Sequence, residues 1–389
     1  MINPIKINQA LHPAILLTFW FLILICSNAS GSQTLETKAR HALMIDMETN
    51  AVILEKAADE PMPPASMSKL MTIYMVFEKL KAGKLDLKDR FIVSEKAWRK
   101  GGSKMFVRVN RRVSVKDLLR GIIVQSGNDA CIVIAEGLAG SEEAFAEEMN
   151  DKAAKIGLKN SQFKNATGWP AEGHYMSARD LATLSSKLIK DFPDYYPMFA
   201  EKSFRYSKIK QGNRNPLLYR RGGADGLKTG HTEASGYGLT ASAQREGRRL
   251  LLVVNGLNSS RERASEATRL LDWGFRTTKV YNLFKKGEEV GKADTWLSKE
   301  GKVPLIVDDN ITLTMPRLAR AKMKVKLVFN NPIPAPVSKG TVVGRILINA
   351  PGMEEMQVPV KTALDIEELG FFGRMNAAIK YLLFGKLGS

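Results

Sequence analysis

The order in which the apolar patterns change period constrains this chain more than any other feature. Two short apolar runs, His41 to Met47 and Ala51 to Lys56, are joined by Glu48-Thr49-Asn50, which is a hairpin signal. Helical periods then occupy Ser66 to Leu80, Val115 to Ile123, Asn128 to Leu138, Ala144 to Lys155 and Ser177 to about Lys190. Strand-like segments return only at Tyr237 to Ala243 and Leu250 to Gly256, separated by the turn Glu246-Gly247, and Ser260 then caps a helix reaching about Phe275. Strands first, helices between, then strands and a closing helix predict one α/β domain whose sheet joins both ends of the segment.

The texture changes after Tyr281. The run Lys322 to Phe329 alternates strictly and places Met323, Val325, Leu327 and Phe329 on one face. Ile311 to Met315, Val342 to Ile348 and Met356 to Val360 are similar short runs, and Pro332, Pro334 and Pro336 punctuate a loop. Half-buried strands of this kind predict a small all-β sandwich over residues 281–364. From Asp365 to the end the period is helical again. Residues Gly370 to Phe384 set Phe371, Phe372, Met375, Ile379, Leu382 and Leu383 near one face, with Arg374, Asn376 and Lys380 away from it. That segment (domain 365–389) is too short and too charged to span a bilayer, and predicts a helix lying on an anionic membrane surface, with Arg374, Lys380 and Lys386 adding attraction.

The other end reads as an export leader, residues 1–29. Lys6 precedes an apolar run from Ala14 to Cys26, about thirteen residues long, and Ser27-Asn28-Ala29 supplies a small-residue cleavage site. With Cys26 removed, only Cys131 remains, so no internal disulfide is expected. The chain carries 58 Lys and Arg against 40 Asp and Glu, a net charge of +18. An exported protein meets little nucleic acid, so that charge addresses lipid headgroups or a cell-wall polymer.

The chemistry rests on three short motifs in a fixed order: Ser66-Met67-Ser68-Lys69, Ser126-Gly127-Asn128 and Lys228-Thr229-Gly230. The spacing Ser-x-x-Lys alone is weak, since Ser161 to Lys164 and Ser207 to Lys210 share it. The Ser66 copy differs because Pro63-Pro64-Ala65 precedes it and the apolar period Leu70, Met71, Tyr74, Val76, Phe77, Leu80 follows. Ser66 therefore falls at the start of a buried helix with Lys69 one turn on, facing the same side. A helix start also offers free N–H groups to a developing oxyanion. A serine hydroxyl needs a base, and a lysine neutralised by burial or by nearby cations supplies one. Lys228 is placed to be such a cation, Ser126 a relay hydroxyl, and Asn128 a partner for Lys69 or for a substrate amide. Lys228 to Gly230 should lie on an edge strand, where Gly230 gives a substrate backbone room to approach. The histidines His41, His174 and His231 share no ligand spacing, so no metal and no cofactor is expected.

With these residues in place the sequence resembles the serine-type D-alanyl-D-alanine carboxypeptidases, the low-molecular-weight penicillin-binding proteins of peptidase family S11. The similarity covers nearly the whole mature chain. Pro64 to Thr72 looks like the family's nucleophile segment, with Ser68 where threonine is commoner. Gln125 to Cys131 and Asp225 to Thr232 also match, and Gly370 to Arg374 is similar to the membrane-anchored members. The resemblance implies an α/β penicillin-binding transpeptidase domain (residues 30–280), an antiparallel sheet with flanking helices of the serine β-lactamase type. It also implies catalytic roles for Ser66, Lys69 and Ser126, and substrate binding by Asn128, Lys228, Thr229, Gly230 and His231. Arg214 and Arg263 match arginines near the substrate carboxylate, which suits bidentate pairing. The backbone N–H groups of Ser66 and His231 would form the oxyanion hole. The implied activity is removal of the terminal D-alanine from peptidoglycan stem peptides, with β-lactams acylating the same serine, at the periplasmic face of the inner membrane. Two other readings of the motifs are a β-lactamase, and a non-catalytic wall-binding or penicillin-sensing module.

Overall fold

The computed structural model describes residues 35–384; the leader, its cleavage point and Cys26, and Lys386 at the other end, lie outside the described residues. The central sheet has five strands: β1 (His41–Asp46), β2 (Val52–Lys56), β3 (Ala224–Thr232), β4 (Gly236–Arg245) and β5 (Arg248–Leu257). Their order is β2-β1-β5-β4-β3, every pair antiparallel, so the early hairpin docks on the late one with Met44 opposite Leu252. The sheet is covered on both faces. Leu43, Leu251 and Val253 point into the helical side, whereas Ala42, Met44, Leu250, Leu252 and Val254 pack with Leu270 and Leu271 of the closing helix. Double coverage explains why Leu250 to Val254 reads as a continuous apolar run rather than an alternating one.

Around the sheet lie α1 (Lys69–Lys81), α2 (Val115–Val124), α3 (Asn128–Ala139), α4 (Glu142–Lys155), α5 (Ala178–Asp191) and α6 (Ser260–Thr277). Ser114, Ser141, Ser177 and Ser259 cap α2, α4, α5 and α6, each accepting from the backbone N–H three residues on. The cap of α6 is Ser259 and not Ser260 as the sequence suggested. Ser259 stands three residues before Glu262, whose carboxylate in turn accepts from the Asn258 N–H at 2.8 Å. Of these six helices two have no side-chain cap, α1 and α3, and these are the two that begin at the Ser66 and Ser126 motifs.

The all-β region holds a six-stranded sheet and a two-stranded one, the latter pairing Thr278–Phe284 with Ile311–Pro316. Val303, Leu305, Leu313, Ile346, Ile348 and Val360 are in its core. Thr49 and Thr314 hydroxyls, 2.7 Å apart, link it to the β1–β2 turn. One expectation fails here. Met323, Leu327 and Phe329 pack against the core as their alternation predicts, but Val325 remains 42% exposed. Its strand, Lys324–Phe329, is the sheet's edge and pairs on one side only, with Val342–Asn349, so the neighbour that would cover Val325 is missing. The chain's last described helix is α7 (Phe371–Phe384), and the Arg374 guanidinium is paired at 2.7 Å with Glu368 just before it. Among the described residues no helix is long and apolar enough to cross a membrane.

Candidate active site

The first motif is not a simple helix start. Ala65 to Ser68 form a 3-10 turn that runs into α1, and Ala65 itself adopts a left-handed conformation with φ of 48°. Two glycines let other segments close on this turn. A side chain at Gly230 would come within 2.8 Å of the Pro64 carbonyl and 3.1 Å of Met67 Cγ, and one at Gly168 within 2.0 Å of the Ala65 carbonyl. Gly230 thus makes room for the Ser66 turn. Edge strand β3 is thereby laid against the turn that carries Ser66.

Lys69 is fully buried. Its ammonium lies 2.8 Å from Ser66 Oγ and 2.7 Å from Asn128 Oδ1, and it also donates to the Thr167 carbonyl. Burial pushes its pKa down to about 8; Arg214 and Lys100 push the same way, and Cys131 and Asp129 oppose them. Lys228 is buried as well, donates to the Thr229 carbonyl at 3.0 Å, and is held well below the usual lysine range. Burial is the chief cause, followed by the charge on Lys69 and then that on Arg214. The charges of the two buried lysines disfavour each other.

Ser126 sits between α2 and α3 with φ of 65°, and its buried hydroxyl has no partner among the described residues. Asn128, at the first turn of α3, accepts from Lys69 and donates to the Gly101 carbonyl at 2.9 Å. Next to it, buried Asp129 accepts from the backbone N–H groups of Met105, Phe106, Val107 and Ala130, which fixes the loop before α2. Thr229 is buried on β3, and Asn215 holds that strand through a 2.7 Å bond to the Gly226 carbonyl. His231, exposed at the end of β3, stacks on Tyr237 with ring centres 3.8 Å apart. The Arg263 guanidinium lies 5.7 Å from the centre of the same Tyr237 ring, and its Nε is buried without a partner among the described residues. Arg214 keeps exposed surface while its guanidinium is partly shielded by the protein, and it donates to Ser103 Oγ at 2.6 Å. Loss of solvent lowers the pKa of both arginines, and neither has a carboxylate partner among the described residues. His174 is set apart: Nδ1 accepts from the Lys164 N–H, and burial pushes its pKa down to about 4, so it stays neutral within its loop.

A serine hydroxyl against a buried lysine, an unpartnered second hydroxyl, and cations lacking carboxylates together suit acyl transfer on a substrate that ends in a carboxylate. The sequence profile described as D-alanyl-D-alanine carboxypeptidase matches residues 28–259. The chain belongs to this family. A second profile, the penicillin-binding protein 5 C-terminal domain, matches residues 275–368. The D-alanyl-D-alanine carboxypeptidase DacA of Escherichia coli is 38% identical over 352 residues, 88% of this chain and 87% of that protein. The crystal structure of the D-alanyl-D-alanine carboxypeptidase DacD from Francisella tularensis superimposes with a TM-score of 0.78 at 31% identity, covering 86% of this chain and 95% of that one. Penicillin-binding protein D2 of Listeria monocytogenes, solved in its ampicillin-bound form, matches with a TM-score of 0.57 at 30% identity over 62% of this chain and 98% of its own. The fold therefore agrees with expectation, an α/β peptidase domain on an antiparallel sheet followed by an all-β domain, and the protein is a D-alanyl-D-alanine carboxypeptidase of the low-molecular-weight penicillin-binding class. What the sequence did not single out is the support around the motifs: Asn215, Asn165 and Glu142 are ordinary polar residues there, with no spacing that marks them.

Proposed function

We infer that the reaction is serine-type and runs through an acyl-enzyme on Ser66, with a peptidoglycan stem peptide ending in D-Ala-D-Ala as substrate. The observation that carries this reading is the 2.8 Å approach of Lys69 Nζ to Ser66 Oγ in a site where burial brings the lysine pKa to about 8. Neutral Lys69 takes the Ser66 proton as Oγ bonds to the peptide carbonyl carbon. The carbonyl electron pair moves onto oxygen, facing the backbone N–H groups of Ser66 and His231. When the pair returns, the C–N bond breaks and the D-alanine amine leaves with a proton relayed through Ser126. Water, deprotonated by Lys69, then cleaves the ester and restores Ser66. Lys228, Arg214 and Arg263 receive the terminal carboxylate, whose charge favours the protonated form of Lys228. Asn128 and Thr229 bind the peptide backbone beside the Gly230 strand. A β-lactam acylates Ser66 in the same way and is released slowly.

The mature enzyme is exported to the periplasmic face of the inner membrane, held there by α7; six apolar side chains of that helix are exposed. Incubation with a fluorescent penicillin followed by peptide mass mapping tests the assignment. The adduct is expected on the peptide containing Ser66, and Ser66→Ala should fold and lose both labelling and D-alanine release. An adduct on any other serine overturns it.

A further inference from the structure

The segment Asn165–Trp169 carries no motif, yet one of its side chains organises all of it. Asn165 Oδ1 accepts from the Thr167 N–H at 3.1 Å, the Thr167 hydroxyl at 2.9 Å and the Trp169 N–H at 3.1 Å. Its Nδ2 donates to the Trp169 carbonyl at 2.9 Å, so a single half-buried amide closes the turn from both ends. Two neighbours fix the turn from outside: Thr72 Oγ1 donates to the Ala166 carbonyl at 2.7 Å, and Glu142 accepts from the Ala166 N–H at 3.2 Å. The group left pointing at the chemistry is the Thr167 carbonyl, which accepts from Lys69 Nζ.

A carbonyl accepts and never donates, so this contact favours the ammonium form of Lys69 over the amine. The ammonium is the form created when Ser66 gives up its proton. Its other two acceptors, Ser66 Oγ and Asn128 Oδ1, sit on side chains, and only the third is backbone whose direction the turn dictates. We propose that Asn165 is a positioning residue for acylation: it holds the Thr167 carbonyl where the Lys69 ammonium forms. This rests on the reading of Lys69 as the general base. The titratable groups electrostatically coupled to Lys69 come from elsewhere, Asp129 and Cys131 from α3, Lys100 and Arg214 from flanking loops, Lys228 from β3 and the neutral His174 from its own loop. None of them bonds to the Asn165 amide, so a change there leaves them in place.

The test is the second-order rate constant for acylation by a fluorescent penicillin, measured on the mature chain between about pH 6 and pH 10, which reports groups of the free enzyme. The wild type should show a rate that climbs with pH through about 8, as Lys69 sheds its proton. Asn165→Ala withdraws a charge-assisted acceptor, so the limb should move down by about one pH unit while the high-pH plateau falls roughly tenfold. Asn165→Asp keeps the three accepted bonds and adds a negative charge, so its limb should move up, with a plateau within about threefold of wild type. If Asn165→Ala fails to fold, the Asp variant alone decides: a limb displaced downward overturns the proposal. An Ala variant whose rate falls equally at every pH, with the limb unmoved, shows a merely structural role and also overturns it. A wild-type profile without a limb in this range overturns the reading of Lys69 and the proposal together, whereas a normal wild-type limb with an unmoved variant overturns the proposal alone.

Discussion

Two helices of nearly equal length treat their side chains in opposite ways. Helix α1, with 13 residues, takes a lysine to zero exposure together with Leu70, Ile73, Val76 and Phe77. Helix α7, with 14, leaves Phe372 77% exposed and Leu382 81% exposed. Each defies the ordinary solvent preference of its residues, and each does so where a role is proposed above. Burying Lys69 costs solvation, and the cost shows as a pKa lowered from 10.5 to about 8, which in the proposed mechanism turns an inert ammonium into a base. The rest of the α1 core offsets that cost inside the molecule. The apolar face of α7 has nothing among the described residues to offset it, and the membrane surface proposed above would be its counterpart.

The largest effect should come from removing the base while keeping its charge. Lys69→Arg retains a cation in the helix but cannot release a proton in the working range. Acylation by a fluorescent penicillin and D-alanine release should both fall at least about a thousandfold, with the far-ultraviolet circular dichroism of the wild type retained. The pH dependence has a definite sign: activity rises as pH passes upward through about 8, because the neutral form is the base. Near-normal acylation by the arginine variant would break the comparison at its first term, since burial of Lys69 would then have no chemical purpose.

The second test concerns stability. Phe77 is fully buried in α1, with ring centres of Phe192, Tyr195 and Phe199 at 5.8, 5.3 and 6.2 Å. Phe77→Ala should destabilise the protein by about 3–5 kcal/mol, read from urea unfolding of the mature chain. A third, smaller effect separates binding from chemistry. Arg263→Gln removes a cation with no carboxylate partner among the described residues, so KM for a peptide with a free terminal carboxylate should rise roughly tenfold with kcat little changed. A peptide amidated at that end should lose no affinity, and equal loss on both would assign Arg263 to the fold instead.

How much of this was legible follows the same division. The approach of Lys69 to Ser66 was readable from a three-residue spacing ahead of an apolar helical period, although Ser66 falls in the 3-10 turn before α1, and the edge-strand place of Lys228 was readable from Gly230 two residues on. The two hairpins were readable for similar local reasons, whereas the one cap read from the sequence, Ser260, fell a residue late. Ser126 was legible as a residue but not as a conformation: its φ of 65° is imposed by the junction of α2 and α3, which no local pattern reports. That Gly230 makes room for the Ser66 turn was not legible, because that turn is far away in sequence. Val325 was misread because alternation specifies a face but not whether a neighbour covers it. Asn165 was invisible, since a clamp made of four bonds within five residues looks like any polar loop.

The smallest effect tests the other helix. Phe372→Ser replaces a ring that is 77% exposed and touches Phe371, with ring centres 5.6 Å apart. In the absence of membrane it should change unfolding stability by less than about 0.5 kcal/mol, an order of magnitude below the Phe77 variant. On vesicles carrying anionic lipid the same substitution loses the half-burial of one aromatic side chain, roughly 1 kcal/mol at the usual area coefficient, or about a fivefold fall in partition. Truncation after Glu368 sums six such losses and the charge of Arg374, so flotation with vesicles should disappear while D-alanine release in solution persists. Salt should weaken the full-length interaction only to a degree, because apolar burial is not screened. A Phe372→Ser variant that unfolds several degrees earlier in buffer would show α7 docked on its own domain. Its exposed face would then be a seat for the rest of the protein, and the contrast with α1 would vanish.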